Sequence, residues 1–281
     1  MSYTSFALVG AGTVGYGIVA GLAAKNVPIV VLSRPGSKNL EELPAGAKSE
    51  VVDTTDTDAV AAIFKKHKVD VVLATLTTTA NKAQYPLIDA AKAAGVKLFV
   101  PSEYGMPTEG QTEGILGEKN DVAAYAKKSG IPSLRVFAGG FVEYIPWLFT
   151  YTENKKINVV GEGDVAASYN AVADVIGFVV HVLTTLPPAE LEDKIFRIEG
   201  DRKRPSEIAA LLNTTIERVD KMPGELSELR TGLSIAFSSG AGSTGWDAVN
   251  KTEGTGDAAA GSANKLWPGH SWQTIKQVHN L

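Results

Sequence analysis

Short apolar runs alternate with longer amphipathic stretches through the first half of the chain. Phe6-Ala7-Leu8-Val9, Val27-Pro28-Ile29-Val30-Val31-Leu32, Val69-Asp70-Val71-Val72-Leu73-Ala74 and Val96-Lys97-Leu98-Phe99-Val100 read as strands. Lys48-Ser49-Glu50-Val51-Val52-Asp53 and Ile131-Pro132-Ser133-Leu134-Arg135-Val136 add two more. Continuous, β-branched runs suit strands of a parallel sheet covered on both faces. The intervening residues 56–68, 82–95 and 115–129 carry apolar positions at helical spacing, and Gly95 and Gly130 stop two of these helices. Strands alternating with helices of this length predict βαβ units and an α/β fold.

Beyond Phe141 the rhythm changes. Phe141-Val142-Glu143-Tyr144-Ile145-Pro146-Trp147-Leu148-Phe149 is aromatic and apolar, as a pocket wall or a core segment would be. Residues 156–163 read as a strand and turn, 172–186 as a buried helix, 194–198 as a strand and the segment from Pro205 as a helix. Residues 238–261 are rich in Gly, Ser, Thr and Ala without periodicity, and read as a long loop and a candidate lid. The expected organisation is a nucleotide-binding domain over 1–150 and a smaller substrate-binding region over 151–281. Elements near 172–198 are expected to return to the first domain, leaving the second partly interleaved.

Composition narrows the function classes. The chain has 281 residues, 44% of them hydrophobic, and a net charge of −4 with no basic stripe. Nucleic acid is not an expected partner. The chain contains no cysteine, which removes disulfides, thiolate catalysis and zinc–sulfur sites. No apolar run approaches the roughly 18 residues of a membrane span. A protein of the cytoplasm, monomer or homodimer, is the expectation. His67 sits in a charged helix end, His181 in an apolar helix, and His270 and His279 near the terminus. None has metal-ligand spacing, so no metal is expected.

The chemistry concentrates at strand ends. After the first strand, Gly10-Ala11-Gly12-Thr13-Val14-Gly15 has the spacing G-x-G-x-x-G and opens a helix. The first glycine allows a tight turn, the second a close approach to a pyrophosphate, and the third tight helix–strand packing. The amides of the helix start favour phosphate. With this motif the sheet is expected to be of the Rossmann type, doubly wound and parallel. After the second strand, where an acidic residue would hold a ribose hydroxyl, stand Ser33 and Arg34, with Lys38 nearby. A cation there suits a 2′-phosphate, so NADP(H) is expected over NAD(H). Thr75, Leu76 and Thr77 end the fourth strand. Pro101, Ser102 and Glu103 end the fifth. Ligands in such sheets lie beyond the carboxyl ends of the strands, so both segments are candidate cofactor contacts.

Taken together, these residues resemble the NmrA-like atypical short-chain dehydrogenases, and among them the isoflavone reductase and phenylcoumaran benzylic ether reductase group. Val100-Pro101-Ser102-Glu103-Tyr104-Gly105 is close to the family's F-P-S-E-F-G. Lys119 stands eleven residues before Gly130-Ile131-Pro132, where the family keeps its catalytic lysine. Asn264-Lys265-Leu266-Trp267-Pro268, followed by Trp272, is similar to the family's closing segment. The glycine turn departs from the usual G-x-T-G-x-x-G, and the Tyr-x-x-x-Lys pair of ordinary short-chain dehydrogenases is missing. Tyr125 lies six residues after Lys119, off its helical face, and reads as a packing residue.

The resemblance implies an NADPH-dependent reductase of an aromatic or phenolic small molecule, with Lys119 as acid/base and cofactor contact. Tyr104, Phe141, Tyr144 and Trp147 are candidate substrate contacts. The alternative is a non-catalytic NAD(P)-binding redox sensor that regulates a protein partner. A sugar-nucleotide or quinone-type enzyme would share the cofactor half. Lys119 favours the enzyme.

Overall fold

Apolar burial on both faces dictates the central sheet. The computed structural model describes residues 2–37 and 43–281. The chain opens with β1 (Phe6–Val9), α1 (Thr13–Ala24), β2 (Ile29–Ser33), β3 (Lys48–Val51), α2 (Thr57–Lys66), β4 (Val71–Ala74), α3 (Gln84–Ala94), β5 (Leu98–Val100), α4 (Gly114–Ser129) and β6 (Leu134–Phe137). All residues of β1, β2, β4 and β5 are buried. The five strands pair in parallel in the order β3-β2-β1-β4-β5. A parallel bridge from Phe99 to Ser133 sets the chain entering β6 beside β5. The fold is therefore the α/β, Rossmann-type arrangement, with the strand order reversing between β1 and β4.

The remaining elements are β7 (Gly140–Phe141), α5 (Ile145–Leu148), α6 (Tyr151–Asn154), β8 (Ile157–Val160), β9 (Ala167–Asn170), α7 (Val172–Thr185), β10 (Lys194–Arg197), β11 (Asp201–Lys203), α8 (Pro205–Leu211), β12 (Ile216–Val219), α9 (Ser227–Ser238), β13 (Trp246–Asp247), β14 (Thr252–Glu253) and α10 (Ile275–Val278). Residues 1–103, 111–135 and 176–195 form one compact unit, and 104–110, 136–175 and 196–281 a second. The segment carrying β7 to β9 belongs with the C-terminal third. Residues 104–110 also leave the first unit.

In the first unit, Ala7, Val30, Val60, Phe64, Leu87 and Phe99 share one core cluster. Asp56 caps α2 by accepting from the Ala59 amide at 3.0 Å, and Lys65 and Lys66 meet its negative end. Gly95 and Gly130 end α3 and α4 at φ values of +75° and +73°, as helix-stop glycines do. Gly17 and Gly21 let α1 approach Ile176 and Val180 of α7 closely. That packing draws residues from 176 onward back to the sheet. His67 is not solvated as expected, because its Nε2 lies 2.8 Å from Glu50, which also meets Lys66.

In the second unit, β7, β9 and β11 form a small sheet, β8 pairs with β12, and β13 with β14. The candidate lid is not a free flap. Residues 240–245 are buried. The Ser168 amide donates to the Gly242 carbonyl at 3.1 Å, the Thr244 amide to Ser168 Oγ at 2.9 Å, and Arg197 to the Thr244 carbonyl at 3.1 Å. Only the stretch from Val249 to 258 is largely exposed. The C-terminal tail is tied to Asp174, which is 2% exposed and accepts from the Gln273 amide at 2.7 Å, with His270 Nε2 at 2.9 Å. Trp267 stacks on the His270 ring at 3.6 Å.

Removing the Asp174 carboxylate would orphan the Gln273 amide. Asp174→Ala is expected to lower stability by about 2–3 kcal/mol, the scale for a buried bond to a charged group. Denaturant unfolding measures this, and hydrogen exchange should show residues 270–278 opening before the rest.

Candidate functional site

The turn after β1 is built for a close approach. Gly10 has φ +97°, and a Cβ there would lie 2.7 Å from the Thr75 carbonyl oxygen. A Cβ at Gly15 would overlap the Gly10 carbonyl and the Thr75 hydroxyl, whereas one at Gly12 would meet nothing within 4 Å. The crowded glycines hold β1, α1 and the end of β4 together, and the open one faces free space. No side chain caps α1. Its first amides, including those of Thr13, Val14 and Gly15, therefore remain donors for an anion. A dinucleotide pyrophosphate fits this cradle.

Ser33 ends β2, and Arg34 follows it exposed. A guanidinium there can reach a charged group outside the sheet edge. Lys38, the other expected cation, lies outside the described residues.

Among the expected cofactor contacts, Thr75 and Ser102 also bond within the fold. The Thr75 hydroxyl donates to the Gly10 carbonyl, which spends its one proton inside the turn. Leu76 packs toward Gly10, and Thr77 is exposed, its hydroxyl 3.2 Å from that of Thr79. Pro101 is buried. Ser102 Oγ donates to the Leu76 carbonyl and the Ser102 amide to Gln84 Oε1, each at 2.8 Å. These bonds tie the end of β5 to the end of β4. Gln84 is 1% exposed and was not foreseen in the sequence, where nothing marks it.

Lys119 lies on the second turn of α4 and is only 8% exposed. Its Nζ donates to the backbone carbonyl of Glu103 at 2.8 Å. The Glu103 carboxylate is 3% exposed and pairs with Arg135 Nε at 2.9 Å. Burial pushes the Lys119 ammonium below the ordinary lysine range, and the negative Glu103 opposes that shift. Such a lysine can exchange its proton more readily than a solvated one. Arg135 is a residue that sequence reasoning missed. Its signal was a charge inside a buried parallel strand, which requires a partner. Tyr125 does not join Lys119. Its hydroxyl donates to Asp89 at 2.8 Å, and its ring meets Tyr85 edge to face.

In the second unit Phe141 and Tyr144 meet edge to face at 5.9 Å, and Tyr144 is 43% exposed. Trp147 instead lies beneath the Arg230 guanidinium, 5.7 Å from its ring centre. Tyr104 is buried with φ +43°, an uncommon state for a bulky residue. Among the described residues no cluster of three or more His, Asp or Glu could hold a metal, and no helix is long and apolar enough to cross a membrane.

The buried lysine carries a stability cost with a defined sign. Below the ordinary lysine range the unfolded chain binds the proton more tightly, so this cost falls as pH rises toward that range. Lys119→Met is expected to melt a few degrees higher than the wild type at pH 7. The difference should narrow toward pH 10, as thermal denaturation at both pH values will show.

Comparisons with known proteins place the chain. A curated relative, "Oxidoreductase aprR" of Aspergillus flavus, is 33% identical over 147 residues, 48% of each chain. The matched stretch thus spans about half of that relative's length. Among solved structures, the leucoanthocyanidin reductase–NADPH complex of Vitis vinifera superposes with a TM-score of 0.77, at 20% identity over 98% of both chains. An isoflavone reductase does so at 0.80, with 19% identity over 99% of both. These two share the fold. Residues 6–274 match the NmrA-like family model. With the glycine cradle and the buried lysine in the same sheet-end constellation, that match over nearly the whole length assigns the chain to the NmrA-like family.

Proposed function

We propose that this protein is an NADPH-dependent reductase of an aromatic or phenolic small molecule. The observation that carries the reading is the buried Lys119, held on the Glu103 carbonyl at the exit of β5, in the same sheet whose β1 turn forms a phosphate cradle. The two superposed reductases support it, since one is an NADPH complex and both are named for phenolic compounds. The related oxidoreductase adds to this support.

In this reading Gly10, Gly12 and Gly15 admit the pyrophosphate, and the amides of Thr13 and Val14 donate to it. Arg34 holds the 2′-phosphate. When bound, the nicotinamide supplies a hydride. Lys119 gives a proton to the substrate oxygen that gains negative charge, and the Glu103 carbonyl keeps Nζ oriented for this. Burial lowers the cost of giving up that proton. Within the second unit, Phe141 and Tyr144 meet edge to face, an arrangement that suits an aromatic ligand. Trp147, a further candidate contact, packs against the Arg230 guanidinium.

Two outcomes follow. Arg34→Ala should weaken NADPH about tenfold to a hundredfold, the value of a charge-assisted contact, and leave NADH within about twofold, as read by calorimetric titration. NADPH oxidation should be measured against an isoflavone, a leucoanthocyanidin, a phenolic benzylic ether and a quinone. On whichever is turned over, Lys119→Met should lower kcat by about a hundredfold to ten-thousandfold. Tight nucleotide binding without turnover of any of them would favour the non-catalytic sensor instead.

A further inference from the structure

Glu103 offers Lys119 two acceptors, and the structure uses the weaker one. A carboxylate is the stronger partner for an ammonium, because bonds between ions are shorter and about twice as strong as neutral ones. Yet Lys119 Nζ donates to the Glu103 backbone carbonyl, at 2.8 Å. The carboxylate of the same residue is turned to Arg135, whose Nε lies 2.9 Å from Oε1. Arg135 also reaches Asn120 Oδ1 at 3.5 Å, the side chain next to Lys119 on α4. All three charged residues are at least nine-tenths buried.

Among the described residues, the other acidic groups of α4 do not act on Lys119. Glu118 is turned to Asn81 at 3.3 Å and Lys82 at 3.7 Å. Asp121 lines a hollow with Tyr85 and Tyr125. Glu113 precedes α4 without capping it by its side chain. Glu103 is the carboxylate whose charge acts on Lys119.

We propose that Arg135 is a positioning residue for Lys119: it ties down the Glu103 carboxylate and leaves the Glu103 carbonyl as the partner of the lysine. The guanidinium suits this task because it stays charged at every relevant pH and grips a carboxylate directionally. The backbone around Glu103 is fixed independently. Its amide donates to the Pro101 carbonyl at 2.8 Å, and Ser102 is held from both sides by Leu76 and Gln84. The carbonyl therefore stays in place while the side chain is steered away. The consequence is a buried lysine without a carboxylate partner, the state a proton donor near neutral pH requires. This inference rests on the acid/base role proposed above for Lys119.

The test is the titration of Lys119 itself. Its Cε carbon is followed by NMR in protein carrying 13C-labelled lysine, assigned by the signal absent from Lys119→Met. In Arg135→Met the freed carboxylate attracts the ammonium, so the titration should move to higher pH. In Glu103→Gln the opposing charge is gone, so it should move to lower pH. Arg135→Lys should fall between Arg135→Met and the wild type. Loss of either charge also moves the titration in these directions without any change of partner, so the structure of Arg135→Met decides: Nζ moved onto the Glu103 carboxylate supports the proposal, and Nζ still on the Glu103 carbonyl overturns it. An unmoved titration in both variants, or movement in the same direction, overturns the proposal. Should Arg135→Met fail to fold, Glu103→Gln keeps the shape and a hydrogen bond to Arg135, and an unmoved titration there overturns it alone. On a substrate that is turned over, Arg135→Met should lower kcat about tenfold to a hundredfold with KM little changed. If Lys119→Met retains full turnover while Nζ moves onto the Glu103 carboxylate in Arg135→Met, the acid/base reading fails and the positioning stands.

Discussion

The close approach of the β1 turn to the end of β4 is the constraint on which the sheet end depends. Two parallel strands that leave in opposite directions create a crevice at their carboxyl ends. Here the crevice is closed at its base by Gly10, Gly15 and Thr75, and left open at Gly12. The apolar strands fix this geometry. Each buried Val, Leu, Ile or Phe contributes about 1.5–3 kcal/mol, whereas an exposed pair such as Lys265–Asp257 contributes about 0–1 kcal/mol. The polar groups at the strand ends are therefore positioned by the core and contribute little to holding it.

The second constraint is electrostatic. Glu103 after β5, Lys119 on α4 and Arg135 within β6 are charged side chains held out of water. A buried pair is seldom a gain over apolar packing, but removing Glu103 or Arg135 alone leaves the other charge unpaired, at a cost of about 3–5 kcal/mol. Such a cluster gains the fold little by itself. What burial does is hold the Lys119 ammonium below the ordinary lysine range. The left-handed Tyr104, immediately after Glu103, is a further departure from relaxed backbone at the same place.

The sheet was readable because its strands are continuous apolar runs, and the turn because glycine spacing follows directly from steric need. Other elements left no such trace. β9 reads Ala-Ser-Tyr-Asn, a polar sequence, yet every residue is buried, with Ser168 bonded to Thr244 and Asn170 to the Ala138 and Ile198 carbonyls. α9 begins after Leu226 at φ +53°, with no capping side chain to announce it. Residues 238–261 looked mobile because small residues usually mark loops. Here they permit close packing, since a Cβ at Gly242 would lie 2.7 Å from the Phe237 ring. At the candidate site the sequence pointed to Lys119, Ser102 and Glu103 but not to the side chains that hold them. Their roles depend on Gln84 and Arg135, partners brought close only by the fold.

The central claim is that the glycine cradle and Arg34 together select a phosphorylated dinucleotide. Calorimetric titration of the wild-type protein with NADPH and NADH tests it most directly. The account predicts saturable one-to-one binding of NADPH, at least about tenfold tighter than NADH, with the advantage shrinking as salt screens the exposed arginine. Absence of binding by either nucleotide, or equal affinity for both, would contradict it.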